Sequence, residues 1–257
     1  MKKSNYHTHT KRCLHAEGSD EEYVIEAINK GLHTIGFSDH GPYPDNRFDL
    51  RMQYNELDDY YDSINFLKEK YKDKINIKIG LEIEYFKDQT DYYKKLLTKF
   101  DYLLLGQHVC ITDKEPFINN FELSSTDYFI TYAKAVSEAL DTKLFEFLAH
   151  PDLIFLNNFS WDKNSEKASN IIIEAAKRNN AILEINANGV RRGLVDFPDG
   201  KRYRYPHKRF WDKVRESNVR VLASADAHAP SQIYDDIVIK TINMAKEWEL
   251  NLIDIID

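Results

Sequence analysis

The chain has 257 residues, 42% of them hydrophobic and 30% charged, with 35 Lys plus Arg against 42 Asp plus Glu for a formal net charge of −7. This is a globular composition, which excludes a low-complexity or disordered chain, and the length suits either two small domains or one α/β barrel around a single core. The acidic balance, with no basic run longer than Lys-Arg pairs, argues against a protein that grips duplex DNA or an anionic membrane by charge.

In chain order, a strand is predicted at 6–9, followed by a helix at 19–30 that Ser19 opens, with Glu22 three positions on, and Gly31 closes. Next come strand 34–38, a long polar loop at 42–53, helix 54–71, strand 75–83, helix 89–99, strand 102–107 and helix 124–140. Strand 146–149, helix 165–179, strand 181–185, helix 207–217, strand 219–224 and helix 231–248 complete the series. The strands are short β-branched or aliphatic runs, and the helices set apolar i, i+3, i+4 positions against Lys and Glu faces. Seven strand–helix alternations without a linker or repeat call for parallel strands and right-handed crossovers in one domain, residues 1–257. No Gly-rich dinucleotide fingerprint follows the first strand, so a closed barrel is expected over an open doubly wound sheet. The common barrel has eight strands, which leaves either one strand undetected or a seven-stranded barrel.

No window reaches the roughly 18 apolar residues of a membrane span, and the N-terminus lacks a secretory signal. A cytoplasmic location with no membrane and no nucleic-acid partner is expected. Cys13 and Cys110 are read as reduced thiols, and Cys13, two residues before His15, as structural.

Nine histidines ask for an explanation, since neutral imidazole is both the commonest metal ligand and a general acid or base near pH 7. His7 and His9 end the first predicted strand; His40, His108, His150 and His228 follow the second, fourth, fifth and seventh. In a parallel barrel these ends meet on the face that carries the active site. The i, i+2 spacing of His7-Thr8-His9 turns both rings to one side. Glu82 and Glu84 end the third strand, Glu184 lies in the sixth, Asp226 precedes His228, and His15 follows the first strand. Mixed imidazole and carboxylate donors suit Zn, Fe or Mn, and so many exceed what one ion takes, so two or three ions are expected. His33 and His207 are left as structural.

His7-Thr8-His9, His15, Gly36-Phe37-Ser38-Asp39-His40, Gly80-Leu81-Glu82, Gly106-Gln107-His108, Ala149-His150-Pro151-Asp152 and Asp226-Ala227-His228 resemble the polymerase-and-histidinol-phosphatase (PHP) family. The match covers nearly the whole chain. His15-Ala16-Glu17-Gly18-Ser19 and Glu184-Ile185-Asn186-Ala187-Asn188-Gly189-Val190-Arg191 are similar to its histidinol-phosphatase branch. The resemblance implies a distorted, TIM-like (β/α)7 barrel, with no eighth strand, and three divalent transition-metal ions. It assigns His7, His9, Glu82 and Asp226 to one ion, Glu82, His108 and His150 to a second, and His15, His40 and His228 to a third.

The activity implied is hydrolysis of a small-molecule phosphate monoester, L-histidinol phosphate in histidine biosynthesis, by a metal-bridging hydroxide. Glu82, Asp226 and His228 are the candidate catalytic residues, with Asp39 also available to protonate the leaving alkoxide. Arg191 is the favoured phosphate contact, with Arg192 beside it and Arg47 in the long loop as further candidates. Asp45, Phe48, Glu84 and Phe117 are available to hold the histidinol moiety. The alternative within the family is a phosphoesterase acting on nucleotides or oligonucleotide ends. An amidohydrolase-type barrel also begins with His-x-His, but it favours a bridging Lys and eight strands. A metal-binding regulatory module predicts a lost ligand or an attached domain.

Overall fold

The computed structural model describes residues 2–110, 112 and 117–256. Its elements begin with strand β1 (Ser4–Asn5), helix α1 (Asp20–Asn29), β2 (Thr34–His40), α2 (Leu57–Lys70), β3 (Asn76–Ile83), α3 (Thr90–Leu96) and β4 (Tyr102–Leu105). A hairpin of β5 (Val109–Cys110) and β6 (Ile118–Asn119) leads to α4 (Asp127–Asp141), β7 (Phe147–Leu148), α5 (Lys163–Asn179), β8 (Ile182–Asn186) and α6 (Ala187–Arg191). A second hairpin, β9 (Leu194–Phe197) with β10 (Gly200–Tyr203), precedes α7 (Lys208–Ser217), β11 (Arg220–Ser224), α8 (Asp236–Glu247) and β12 (Asn251–Leu252).

Local chemistry explains several boundaries. At α1 the Ser19 side chain accepts the Glu22 N–H while the Glu22 carboxylate accepts the Ser19 N–H at 2.6 Å, the reciprocal cap expected from Ser19 and Glu22. Helices α5 and α7 end on Asn180 and Asn218 in the left-handed conformation that asparagine tolerates. The hairpins and α6 fall inside stretches read as loops. Each is too short to show a periodic pattern, and tertiary contacts decide it.

Eight strands form one parallel sheet in the order β1-β2-β3-β4-β7-β8-β11-β12. The α/β, TIM-like barrel class expected from the alternation is the observed one. The expected absence of an eighth strand is corrected: Asn251 and Leu252 pair with Arg220 and Val221. This strand is only two residues long and arises from its partner. The tail continues along the first strand, where the Lys2 N–H donates to Asp254 Oδ2 at 3.0 Å and the Ser4 hydroxyl donates to the Asp254 carbonyl. Farther up, the sheet ends join directly: the His9 N–H donates to Ala227 O at 2.9 Å and the Ala227 N–H to His7 O at 3.1 Å. Residues 6–9, expected as a strand, make this seam and carry a single bridge at Thr8.

Most buried apolar side chains pack between the sheet and its helices. A smaller cluster of Tyr6, Tyr102, Leu104, Phe147, Ala149, Ile182 and Leu222 packs separately, as side chains filling the inside of a curled sheet would. Tyr102 needs Gly80, where a Cβ would stand 2.5 Å from its ring, and its hydroxyl donates to Tyr6 O at 2.7 Å and Phe37 O at 3.0 Å. Among the described residues, no helix is long and apolar enough to cross a membrane.

Candidate metal centre

Glu82, 1% exposed at the end of β3, is the hub of the site. Its Oε2 lies 3.4 Å from His7 Nε2, 3.6 Å from His9 Nε2 and 3.0 Å from His40 Nδ1. Its Oε1 lies 3.0 Å from His150 Nε2 and 3.5 Å from His108 Nε2. Asp226 Oδ1 stands 3.2 Å from His9 Nε2, 3.7 Å from His7 Nε2 and 3.5 Å from His228 Nδ1. The parallel register explains the convergence, since β2 and β3 pair His40 with Glu82 and β3 and β4 pair Glu82 with Leu104, close below His108. At Gly106 a Cβ would come 2.2 Å from Glu82 Oε1, so glycine there leaves room for the carboxylate.

A second layer of groups aims the rings. Glu184 accepts from His7 Nδ1 at 2.8 Å and from the His150 N–H at 3.0 Å; Glu84 accepts from His108 Nδ1 at 2.9 Å. His15 Nδ1 donates to Cys13 O at 2.7 Å and His228 Nδ1 to Asp226 O at 3.1 Å. Asp39 accepts the His40 N–H at 2.8 Å and the Thr10 hydroxyl, and is fully buried. Such partners fix the tautomer and leave the other nitrogen as a lone-pair donor. His150 and Asp226 hold φ values of 30° and 48°, a left-handed backbone that costs energy for non-glycine residues.

The donors fit cations. Oxygen and nitrogen donors lie within 4.8 Å of one another in the sets His7–His9–Glu82, His40–Glu82–His108 and His15–His40–His228. Glu82 Oε2 and His40 Nδ1, 3.0 Å apart, are both buried without a hydrogen-bond partner. Orphaned buried donors and acceptors are costly, and a positive ion between them removes that cost. The electrostatics agree: burial alone would lower the His7 imidazole, but Glu184, Asp226 and Glu82 outweigh it and hold it up at about 10. Burial would raise Glu82 and Asp226, yet the surrounding histidines keep both well below the usual carboxylate range. His228 is pushed down to about 4, first by burial and then by His9. The buried carboxylates of the cluster thus favour positive charge beside them.

The expected donors His7, His9, His15, His40, Glu82, His108, His150, Asp226 and His228 all gather here. Cys13, read as structural, is buried with its sulfur within 4.8 Å of donor atoms of His9 and His228. Burial would raise its thiol, but hydrogen bonds with His15 and His9 outweigh this and lower it. Arg191, the favoured phosphate contact, and Arg192 are placed differently. Arg191 bonds Asp235 at 3.1 Å and Ala225 O at 3.2 Å, while Arg192 lines the cavity above the cluster. The reason is α6: it ends at Arg191 and turns the two neighbours in different directions.

That cavity has a volume of about 630 Å³ and is bounded by His15, His40, Glu82, His108, His150, Asp226, His228, Arg47, Arg51, Arg192, Asp49, Phe48, Phe117 and Phe121 among others. Among the described residues no lysine lines it. Arg47 is gripped by Asp45 at 2.8 Å, which occupies both side chains. Glu84, offered as a contact for the alcohol, is instead spent on His108 and Arg51. Arg51 was missed because an arginine in a polar loop carries no periodic or spacing signal. His33 lies away from the cavity beside Thr34, and His207 is buried between Trp161 and Phe155.

Buried imidazole and carboxylate clusters at the strand ends of a parallel barrel form a candidate metal centre on the face where such barrels carry their active sites. The family model "PHP domain" matches residues 5–188. The chain belongs to the PHP-domain family and is a PHP-family metal-dependent phosphoesterase. It is 29% identical over 261 residues to a Schizosaccharomyces pombe protein named "Probable histidinol-phosphatase", covering 88% of this chain and 81% of that one. A Caldanaerobacter subterraneus protein named "Probable phosphatase" is 25% identical over 252 residues, covering 95% of this chain and 85% of that one. The fold is similar to that of histidinol phosphate phosphatase from Lactococcus lactis, solved with zinc, L-histidinol and phosphate. The TM-score is 0.72 at 21% identity, covering 98% of this chain and 95% of that chain.

Proposed function

We propose that the protein hydrolyses L-histidinol phosphate to L-histidinol and inorganic phosphate, as a step of histidine biosynthesis. The observation that carries this reading is Glu82, a buried carboxylate meeting His7, His9, His40, His108 and His150 at the floor of an open cavity. The names of the Schizosaccharomyces pombe relative and of the Lactococcus lactis enzyme support the choice of substrate.

Three divalent ions, Zn, Fe or Mn, would be held by His7, His9, Glu82 and Asp226, by Glu82, His108 and His150, and by His15, His40 and His228. His40 also stands near enough to Glu82 to share the second set. When bound, such ions neutralise phosphate oxygens and lower the pKa of water to near neutrality. The residues of the chain supply the rest. Arg192 offers a fork of N–H donors to the phosphate. Phe48, Phe117 and Phe121 form an aromatic wall for the imidazole, and Asp49 supplies a carboxylate for the ammonium group. Asp226 and His228 line the cavity; with Asp226 ionised and His228 neutral, either would first take a proton from water, such as the attacking one, and then pass it to the departing alkoxide, whereas Asp39 is closed off behind Thr10 and His40.

Phosphate release from histidinol phosphate, nucleoside monophosphates and short oligonucleotides, each with Mn, Zn and Fe, tests the substrate. The expected result is a kcat/KM for histidinol phosphate at least tenfold above the others. A nucleotide or an oligonucleotide end turned over best would replace this substrate with the other family reading.

A further inference from the structure

Arg51 lies in the long loop between β2 and α2, yet its side chain is only 13% exposed. Its guanidinium reaches over the Phe48 ring, 5.7 Å from the centroid, and donates from Nη2 to Glu84 Oε1 at 2.6 Å. The same oxygen accepts from His108 Nδ1, at 2.9 Å, and the opposite nitrogen of that ring, Nε2, lies 3.5 Å from Glu82 Oε1. A continuous chain therefore runs from a surface loop to one donor of the cluster. Glu84 is 1% exposed, and a carboxylate that deep needs a counter-charge. Among the described residues Arg51 is the arginine or lysine that reaches it.

We propose that Arg51 is a positioning residue: by pairing with Glu84 it aims His108 at the cation site shared with Glu82. The inference rests on the reading of the cluster as a cation site. Glu84 holds the proton of His108 on Nδ1, so the lone pair of Nε2 faces Glu82; Arg51 fixes the carboxylate that does this. Without Arg51, Glu84 is left buried without its counter-charge and is free to turn, and the ring loses its aim. Seating of the loop and loading of this site are then one event, a link that no spacing in the chain reveals.

The test is Zn²⁺ titration of chelator-stripped protein against a competing chromophoric chelator, with bound metal counted by elemental analysis. Wild type, Arg51→Ala, Arg51→Lys, Glu84→Gln, His108→Ala and the Arg51→Ala/His108→Ala double variant are compared, each checked for wild-type circular dichroism. Arg51→Ala and Glu84→Gln should weaken one bound equivalent by about 10- to 100-fold and leave the others, the usual scale for outer-shell partners of a metal-binding histidine. Arg51→Lys should restore part of that affinity, and the double variant should bind no more weakly than His108→Ala. Unchanged metal affinity in Arg51→Ala, with or without a raised KM for the phosphate ester, overturns the positioning role and leaves the functional reading intact. A further loss of affinity in the double variant also overturns it. A wild-type protein that takes up no Zn²⁺ overturns both.

Discussion

Arg191 and Arg192 sit side by side and do different work. Arg191 holds Asp235, the residue that caps α8, whereas Arg192 faces the cavity. Arg192→Ala should therefore raise KM for the phosphate ester at least tenfold at unchanged melting temperature, since a charge-assisted hydrogen bond contributes about 1.5–3 kcal/mol. Arg191→Ala should leave KM alone and cost about 1 kcal/mol of stability, the scale of a partly exposed ion pair together with one hydrogen bond. Steady-state kinetics and denaturant unfolding of the two variants check this, and the opposite pattern would return the phosphate contact to Arg191. Most of the donor set is legible in the sequence, because His7, His9, His40, His108, His150 and His228 end or closely follow a strand and so reach one face whatever the loops do, whereas His15 is brought there by its loop. The orienting roles are not. Glu184 reads as one more acid in a strand, and Arg51 as one of several loop arginines, because their partners His7 and Glu84 are brought to them only by folding.

At the scale of elements, boundaries set by local chemistry are the legible ones. The Ser19 cap appears where Ser and Glu stand three apart, while α6, the two hairpins and β12 depend on partners distant in sequence. His207, at the start of α7, shows what such distant packing does. Burial first, and then repulsion from Arg202, push it down to about 4 from 6.5. Between those values the unfolded chain takes up a proton that the folded chain does not, so this histidine removes stability as pH falls below 6.5. Its neighbour Asp152, pushed up to about 6 by burial, acts in the opposite sense, binding its proton more tightly when folded. His207→Gln removes only the first effect. Between about pH 7 and about pH 5 the variant should lose about 1–2 kcal/mol less stability than wild type, because a tenfold difference in proton affinity between the folded and unfolded chains is worth about 1.4 kcal/mol. Equal losses measured by urea unfolding at the two pH values would contradict the assignment.

Across the whole molecule, the alternation of strands and helices decides the class of fold, and the seam decides its closure. The two ends of the sheet meet through His7, His9 and Ala227, so residues that close the barrel are those that build the donor cluster. This explains how an acidic chain can receive an anionic substrate. Its buried carboxylates Glu82 and Asp226 would be offset by the proposed cations, and Arg192 lines the cavity above them. This cluster is expected to act on phosphate monoesters only when loaded with metal. The most direct test is inorganic phosphate released from L-histidinol phosphate by chelator-stripped protein as Zn, Mn or Fe is added back in counted equivalents. The expected result is no release from the stripped protein and a rate that climbs with bound metal to a plateau by about three equivalents. A stripped protein as active as the loaded one, or no release at any loading with any of the three metals, would contradict it.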